Sequence, residues 1–211
     1  MSKDSWIQDD WLWFWGYIID GEKVCRDGTF RKLVMSYLEL GYTLINGPTV
    51  PFDDPQNKIT DLNDIEKAIT RACNFDQRNN KLVFWRPLFE FRMKLYNHPT
   101  NVLLWVLDTD LDLILGPNYD AGEKNIMEFI DLIEVVLETI PTDFGCLFTK
   151  DSPPDEEDVV EGRIPNVYPI TYFSNKLIEK YKEQIIRLGP EINIEICRGR
   201  MITLSIKGIL K

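Results

Sequence analysis

The sequence predicts a single α+β domain over residues 1–211, with a mostly antiparallel sheet and three to four packed helices on one side. Three observations predict this class: strand-like alternation at residues 89–95, a helical apolar stripe at residues 126–140, and a hairpin pattern at residues 192–206. Elements change type too irregularly along the chain for a doubly wound fold. With 211 residues, 44% of them hydrophobic, the chain is long enough to bury one core.

Residues 11–19 form the first predicted strand, and four of the six tryptophans lie in it or just before it: Trp6, Trp11, Trp13 and Trp15. Strand alternation places Trp11, Trp13 and Trp15 on one face and Leu12, Phe14 and Ile18 on the other. Because both faces are apolar, we expect an interior strand that is covered on two sides.

Two helices are predicted next. The first has these apolar residues at helical spacing: Phe30, Leu33, Val34, Tyr37 and Leu38. Gly41 is its predicted C-terminal stop. The second has one apolar face: Leu62, Ile65, Ala68, Ile69 and Ala72. Asp61 is its predicted N-cap.

Two strands follow in the middle of the chain. At residues 89–95 apolar side chains alternate with Glu90, Arg92 and Lys94, which predicts a half-buried strand. Residues 102–115 are predicted as the next strand, and its second half alternates three aspartates with leucines: Asp108, Asp110 and Asp112.

The last third of the chain predicts a helix at residues 123–140, a short strand at 144–149, a helix capped by Ser174 and the final hairpin. The first of these helices has an apolar stripe and a predicted acidic outer face: Glu128, Asp131, Glu134 and Glu138. In the hairpin, Ile192, Ile194 and Ile196 are expected opposite Ile202, Leu204 and Ile206, across a turn at Arg198 and Gly199.

The charge is acidic and unevenly distributed. The net charge of −10 and the pI near 4.7 argue against binding to nucleic acids or to anionic membranes, and they favour a basic protein partner. Residues 151–161 contain six acids and no base: Asp151, Asp155, Glu156, Glu157, Asp158 and Glu161. Together with two adjacent prolines, these acids predict a mobile acidic loop at about residues 150–166.

The four cysteines predict reduced thiols rather than a disulfide framework or a metal site, because Cys25, Cys73, Cys146 and Cys197 are widely spaced and form no Cys-x-x-Cys pair. Reduced thiols are typical of a cytoplasmic protein. The apolar run at residues 11–19 is too short for a membrane-spanning helix and does not follow a basic leader, so it predicts neither a signal peptide nor a membrane anchor.

The sequence contains no recognisable catalytic or cofactor motif. The single histidine, His98, lies in a predicted turn, and no glycine-rich phosphate loop, zinc-protease or EF-hand pattern is present. We therefore expect a protein that is not an enzyme and has no cofactor. One alternative remains open: Asp108, Asp110 and Asp112 on one strand face could help to bind a divalent cation, or could mark the solvent side of an edge strand.

A partner-binding surface is predicted from aromatic and acidic density. Its candidate residues are Trp6, Asp9, Asp10, Trp11, Asp151, Asp155, Glu156, Glu157, Asp158 and Glu161. Tryptophan is favoured at interface hot spots that are surrounded by polar groups, and acids speed association with a basic partner. The simpler interpretation is that the tryptophans belong to the core and that the acidic segment is a solvated connection.

Two segments carry a resemblance to a known class of proteins. Residues 141–151, with the sequence PTDFGCLFTKD, follow an apolar helix and precede the acids, and residues 13–18, with the sequence WFWGYI, form an aromatic strand with a glycine. This arrangement resembles the immunity proteins of bacterial polymorphic toxin systems, and residues 168–174 are similar to the close of another immunity family. The resemblance implies a cytoplasmic, non-catalytic α+β protein that binds and neutralises a cognate toxin.

Two other functions stay open at this stage. One is an acidic inhibitor or DNA mimic from a phage or mobile element. It would differ from an immunity protein in its target but not in the physical properties of its binding surface. The other is a metal-dependent enzyme that uses Asp108, Asp110 and Asp112. Replacing these aspartates with asparagine should separate the classes, because an enzyme would lose activity or metal affinity. The partner's identity and the oligomeric state do not follow from the sequence.

Overall fold

The structure is a computed structural model, and it confirms the α+β class. It describes residues 11–19, 21, 23–46, 55–75, 81–87, 89–97, 102–110, 119–149, 153–163, 168–178, 192–195 and 199–204. Within these residues the helices are α1 (Lys23–Arg26), α2 (Thr29–Glu39), α3 (Leu62–Ala72), α4 (Tyr119–Thr139) and α5 (Glu156–Glu161), and residues 175–178 are also helical. None of the helices described in these ranges has the length and apolar character needed to cross a bilayer.

The described strands belong to one antiparallel sheet. They are β1 (Trp11–Ile19), β2 (Thr43–Ile45), β3 (Lys58–Ile59), β4 (Leu82–Arg86), β5 (Phe89–Asn97), β6 (Val102–Asp110), β7 (Phe144–Phe148), β8 (Ile170–Ser174), β9 (Ile192–Glu195) and β10 (Gly199–Leu204). Their order across the sheet is β3-β2-β4-β5-β6-β1-β7-β8-β10-β9. Each described pairing is antiparallel.

Strand β1 lies in the interior of the sheet, as its two apolar faces predict. It pairs with β6 on one side and with β7 on the other. Leu12, Phe14 and Ile18 are buried in the larger core cluster, whereas Trp13 and Tyr17 are buried in a second cluster on the opposite face. Most of the aromatic density near the N-terminus is therefore core.

Helices α2, α3 and α4 cover the face of the sheet that carries the larger core, and the helical patterns in the sequence account for all three. Gly41 follows α2 with φ of +90°, and the Asp61 side chain caps α3 by accepting a hydrogen bond from Asn63 N at 2.8 Å. The predicted apolar stripe of α4 is buried: Ile126, Phe129, Ile130, Ile133, Val136, Leu137 and Ile140.

The expectation that all helices pack on one side is wrong. Val159 of α5 and Leu177 are buried in the second cluster, on the face opposite α2, α3 and α4. The physical reason is that aromatic side chains of β1 and β7 point to this face as well, and they need cover from water.

The C-terminal strands form the predicted antiparallel hairpin, but in a shifted register, because Ile194 pairs with Ile202 and Ile192 pairs with Leu204. Gly199, which was predicted in the turn, begins β10. Ile196, Arg198 and Ile206 lie outside the described residues. Ser174 ends β8 just before the helical residues 175–178, but its hydroxyl is buried without a hydrogen-bond partner among the described residues, so the predicted side-chain cap is absent.

Candidate partner-binding surface

The structure describes six of the ten predicted partner-binding residues: Trp11, Asp155, Glu156, Glu157, Asp158 and Glu161. The other four, Trp6, Asp9, Asp10 and Asp151, lie outside the described residues, as do Asp112, His98 and Cys197. The six divide into two groups, since Trp11 begins β1 and the acids lie on or next to α5.

The acidic segment is held against β1, and the expectation of a loop is wrong for Glu156–Glu161, which is helical. Pro153 and Pro154 are buried, and Tyr17 Oη donates a hydrogen bond to Pro154 O at 2.8 Å. Burial raises the pKa of the Tyr17 hydroxyl well above its usual range, so it remains a donor. The prolines are therefore buried, and Pro154 is bonded to β1, instead of marking a free loop.

The acids of α5 are not equivalent. Glu156 is 6% exposed and so cannot take part in a surface contact, whereas Glu157 and Glu161 are exposed. Val160 lies between them on the helix and is 44% exposed. Positions three and four apart share a helix face, so Glu157, Val160 and Glu161 form one exposed surface, called here the α5 face.

One base offsets part of this acidity. Arg163 follows the helix and pairs with Asp158 at 3.2 Å and with Glu161. All three side chains are at least partly exposed, so these ion pairs contribute little to stability. The acidic run predicted from the sequence ends at residue 161. Arg163 lies two residues further on, so its pairing with these acids was not predicted.

Replacing Tyr17 with phenylalanine should loosen α5. The buried Pro154 carbonyl would lose its partner, which we expect to cost about 1 kcal/mol of unfolding free energy and to speed amide hydrogen exchange in residues 156–161. The matched control is Tyr37→Phe, because Tyr37 Oη donates to Leu132 O at 3.1 Å on the other face of the sheet. The control should cost a similar amount and leave exchange in α5 unchanged; equal exchange in both variants would show that the bond does not hold α5.

Trp11 is half-buried and already has a neighbour in the chain. The Arg92 guanidinium carbon lies 3.4 Å from the centroid of the Trp11 ring, and Lys94 Nζ lies 5.8 Å from the centroid of the Trp13 ring. These are cation–π contacts, which fix the side chains of β1 against β5. The alternation of β5 was predicted, but its polar face is largely covered rather than open to water.

Asp108 is the counter-ion of both Arg92 and Lys94. It is 0% exposed, and it accepts a hydrogen bond from Arg92 Nε at 2.5 Å with Lys94 Nζ 3.8 Å from its other oxygen. Burial raises the pKa of the Asp108 carboxyl, and the two cations oppose that rise; burial also lowers the pKa of Lys94. The carboxylate is therefore paired within the protein.

The expected placement of the aspartates on the solvent side of an edge strand is wrong for Asp108. Strand β6 lies between β5 and β1, so this end of it has neighbours on both sides. Asp112 lies outside the described residues. Within the described parts of the chain, no group of three or more His, Cys, Asp or Glu side chains is placed to hold a metal ion.

The two segments that carry the immunity-protein resemblance are neighbours in the sheet. Gly16 of β1 pairs with Gly145 of β7. A Cβ atom at Gly16 would lie 2.0 Å from Trp105 Cε2, and one at Gly145 would lie 2.6 Å from Phe14 Cζ. These glycines therefore make room for the stacked Phe14 and Trp105 rings, whose centroids are 5.2 Å apart. Glycine inside a strand pattern signals such a close approach.

A groove of about 820 Å³ lies at α3, away from these segments, and no sequence signal pointed to it. Its lining includes Asp64 and Glu66, which are paired with Lys67 at 2.7 Å and with Arg31 at 2.6 Å. Because these charges satisfy one another, the groove offers no concentrated charge to a ligand.

Comparison with known proteins gives few matches. No family model matches the chain, and no curated protein matches it. Among solved structures, the chain is similar to a T6SS protein of Pseudomonas aeruginosa at 10% sequence identity and a TM-score of 0.48. The match covers 91% of this chain and 67% of that one.

Proposed function

We propose that this protein acts in the cytoplasm as a non-catalytic binding protein, neutralising a cognate toxin by direct contact, as the resemblance to immunity proteins implies. One observation supports the proposal best. The two segments that carry the resemblance pair as β1 and β7, and the acidic segment that follows β7 is packed against β1 through Tyr17 and Pro154. The resembling parts therefore form one continuous region of the fold.

The α5 face gives this region its binding chemistry. Glu157 and Glu161 supply negative charge, and Val160 supplies apolar area between them. Acidic groups around an apolar contact speed the encounter with a basic protein, and their effect falls as salt screens them. The net charge of −10 acts in the same direction over a longer range.

Trp11 has a second role in the proposal. Its ring is held by Arg92 and is only half-buried, so its remaining surface is pre-organised to contact a partner. A rigid aromatic side chain loses little conformational entropy on binding, which favours tryptophan at hot spots. Three residues that precede it in the chain are still predicted to belong to the same surface: Trp6, Asp9 and Asp10.

The first experiment is to identify the partner. The tagged protein would be captured from the lysate of its native host at low and at high salt, and stoichiometric partners would be identified by mass spectrometry. Each candidate would then be expressed alone and together with this protein. Growth arrest by the candidate that is relieved by co-expression supports the proposal, whereas a captured protein that is harmless alone contradicts neutralisation.

Reversing the charge of the α5 face tests the surface itself. The double variant Glu157→Lys, Glu161→Lys should associate with the toxin at least about tenfold more slowly at low salt, and its association rate should depend less on salt. The matched control is Asp131→Lys, Glu138→Lys, which makes the same change in net charge at exposed positions on α4, across the sheet. If both variants associated with the toxin equally slowly, the effect would come from the net charge and not from the α5 face.

This design keeps Glu156 unchanged. Serine at Asp155, Glu156, Glu157 and Asp158 together would probe the same segment, but Glu156 is buried, so that variant would mix a folding defect with a binding defect. A thermal unfolding curve for each variant separates the two effects, because a surface substitution should change the unfolding free energy by less than about 0.5 kcal/mol.

A further inference from the structure

Three neighbouring strands bring charged and aromatic side chains together on one face of the sheet. In the register of β5, β6 and β1, Arg92 pairs with Asp108, and Asp108 pairs with Trp13. Trp11 lies two residues before Trp13 in β1, so its side chain points to the same face. Because β6 lies between β5 and β1, the Arg92 side chain crosses β6 to reach the Trp11 ring.

The Asp108 carboxylate fixes the direction of the Arg92 side chain. Asp108 Oδ1 accepts a hydrogen bond from Arg92 Nε at 2.5 Å, and the Arg92 guanidinium carbon lies 3.4 Å from the centroid of the Trp11 ring. The guanidinium group is planar and Nε joins it to the flexible stem, so a bond at Nε orients the whole group. Asp108 is itself held by strands on both sides. The order of dependence is therefore Asp108, then Arg92, then the Trp11 ring.

We propose that Asp108 is a positioning residue for the partner-binding surface: acting through Arg92, it holds the Trp11 ring in the orientation that contacts the toxin. This inference rests on the proposed function, in which Trp11 is a contact residue. Asp108 is 0% exposed, so it acts on a partner only through its neighbours. Without the carboxylate, the Arg92 side chain and the Trp11 ring would have to be ordered during binding. That cost weakens the complex and is seen mainly as faster dissociation.

Lys94 provides a matched control within the same cluster. Its Nζ lies 3.8 Å from Asp108 Oδ2 and 5.8 Å from the centroid of the Trp13 ring. The Lys94 and Arg92 side chains are similarly covered, at 18% and 15% exposed. Replacing either cation with methionine therefore disturbs the cluster to a similar degree, but it is Arg92 that contacts the Trp11 ring. A purely structural role predicts equal effects on Trp11, whereas a positioning role predicts an effect from Arg92 and not from Lys94.

The first test needs no partner and uses fluorine NMR of the full chain with its six tryptophans replaced by 5-fluorotryptophan. The resonance of Trp11 is the one that is missing from the Trp11→Phe variant. In Asp108→Asn and in Arg92→Met, we expect this resonance to narrow and to move towards that of free 5-fluorotryptophan, because the ring is no longer held. In Lys94→Met it should keep its wild-type position. An unmoved Trp11 resonance in Asp108→Asn, or an equal movement in Lys94→Met, overturns the proposal.

A second variant covers the case in which Asp108→Asn does not fold. The double variant Arg92→Met, Asp108→Asn removes both members of the closer ion pair. Replacing both partners of a buried pair costs much less stability than removing one, because no charge of that pair is left without its counter-ion. The Trp11 resonance should move in this variant as in the single one, and an unmoved resonance would again overturn the proposal.

The second test measures release of the captured toxin. Asp108→Asn should release it about three- to tenfold faster than the wild type, which is the cost of ordering one side chain on binding, with little change in the association rate. In a Trp11→Ala background, the same substitution should change release by less than about twofold, because no ring is left to position. Equal acceleration in both backgrounds overturns the positioning role but leaves the proposed function standing, provided that the wild type neutralises the toxin. A wild-type protein that neutralises nothing refutes the proposed function itself, and this inference with it.

Discussion

Replacing Gly16 with alanine is expected to lower the free energy of unfolding by about 3 kcal/mol, the upper end of the usual cost of overpacking a core. The added methyl group would lie 2.0 to 2.3 Å from three atoms of the Trp105 indole. Trp105 is 0% exposed and its Nε1 donates to Thr142 Oγ1 at 2.9 Å, so the ring has no room to move away. Chemical denaturation of the purified variant measures the loss.

The control for this substitution is Gly28→Ala. Gly28 has φ of +81° and nothing within 4 Å of a Cβ atom, so alanine there meets backbone strain without a clash and should cost about 1 kcal/mol. Adding Trp105→Leu to Gly16→Ala should cost less than the sum of the two single changes, because the smaller side chain makes room for the methyl group. Equal losses at Gly16 and Gly28, or full additivity with Trp105→Leu, would contradict the steric explanation.

Replacing Asp108 with alanine should have an effect of similar size. Arg92 and Lys94 would lose their shared counter-ion in a site where their side chains are only 15% and 18% exposed. Removing one partner from a buried charge pair costs about 3 to 5 kcal/mol, and we expect the lower value here because both cations keep some contact with water. The variant should therefore unfold roughly 6 to 12 °C below the wild type.

The matched control is Asp64→Ala, which breaks an exposed ion pair with Lys67. The side chains of that pair are 57% and 72% exposed, so its loss should cost less than about 1 kcal/mol. If Asp108→Ala were as mild as the control, the buried cluster would not stabilise the fold. The comparison also bears on the asparagine test of the three aspartates, because any loss of function there has to be separated from loss of folding at Asp108.

Sequence periodicity predicted the elements whose burial follows a simple repeat. Helices α2, α3 and α4 and strand β5 were found from the spacing of apolar residues, because one face of each is buried. Strands β1 and β7 were found as short apolar runs, because both of their faces are buried. Helix α5 was missed because it is only six residues long and most of its residues are charged. Its position depends on a single buried valine, on the two prolines before it and on the hydrogen bond from Tyr17.

The partners of charged side chains were harder to predict than the burial of apolar ones. The alternation in β5 correctly separated Arg92 and Lys94 from the apolar side chains, but it did not indicate that Trp11, Trp13 and Asp108 would cover them. Similarly, Glu128 was expected on an outer face of α4, whereas it pairs with Arg86 and accepts a hydrogen bond from Tyr42. Both errors have one cause: the partner of a charged side chain comes from a strand or helix that is remote in the sequence.

The sequence by itself determined the α+β class, the presence of helices α2, α3 and α4, the interior position of β1 and the acidic balance, because these depend on local periodicity and on composition. The tertiary structure alone decided which distant residues meet: Gly16 with Gly145, Arg92 with Asp108, and Tyr17 with Pro154. Such contacts depend on the order of strands in the sheet and on the packing of the chain around it. A pattern within one segment contains no information about either.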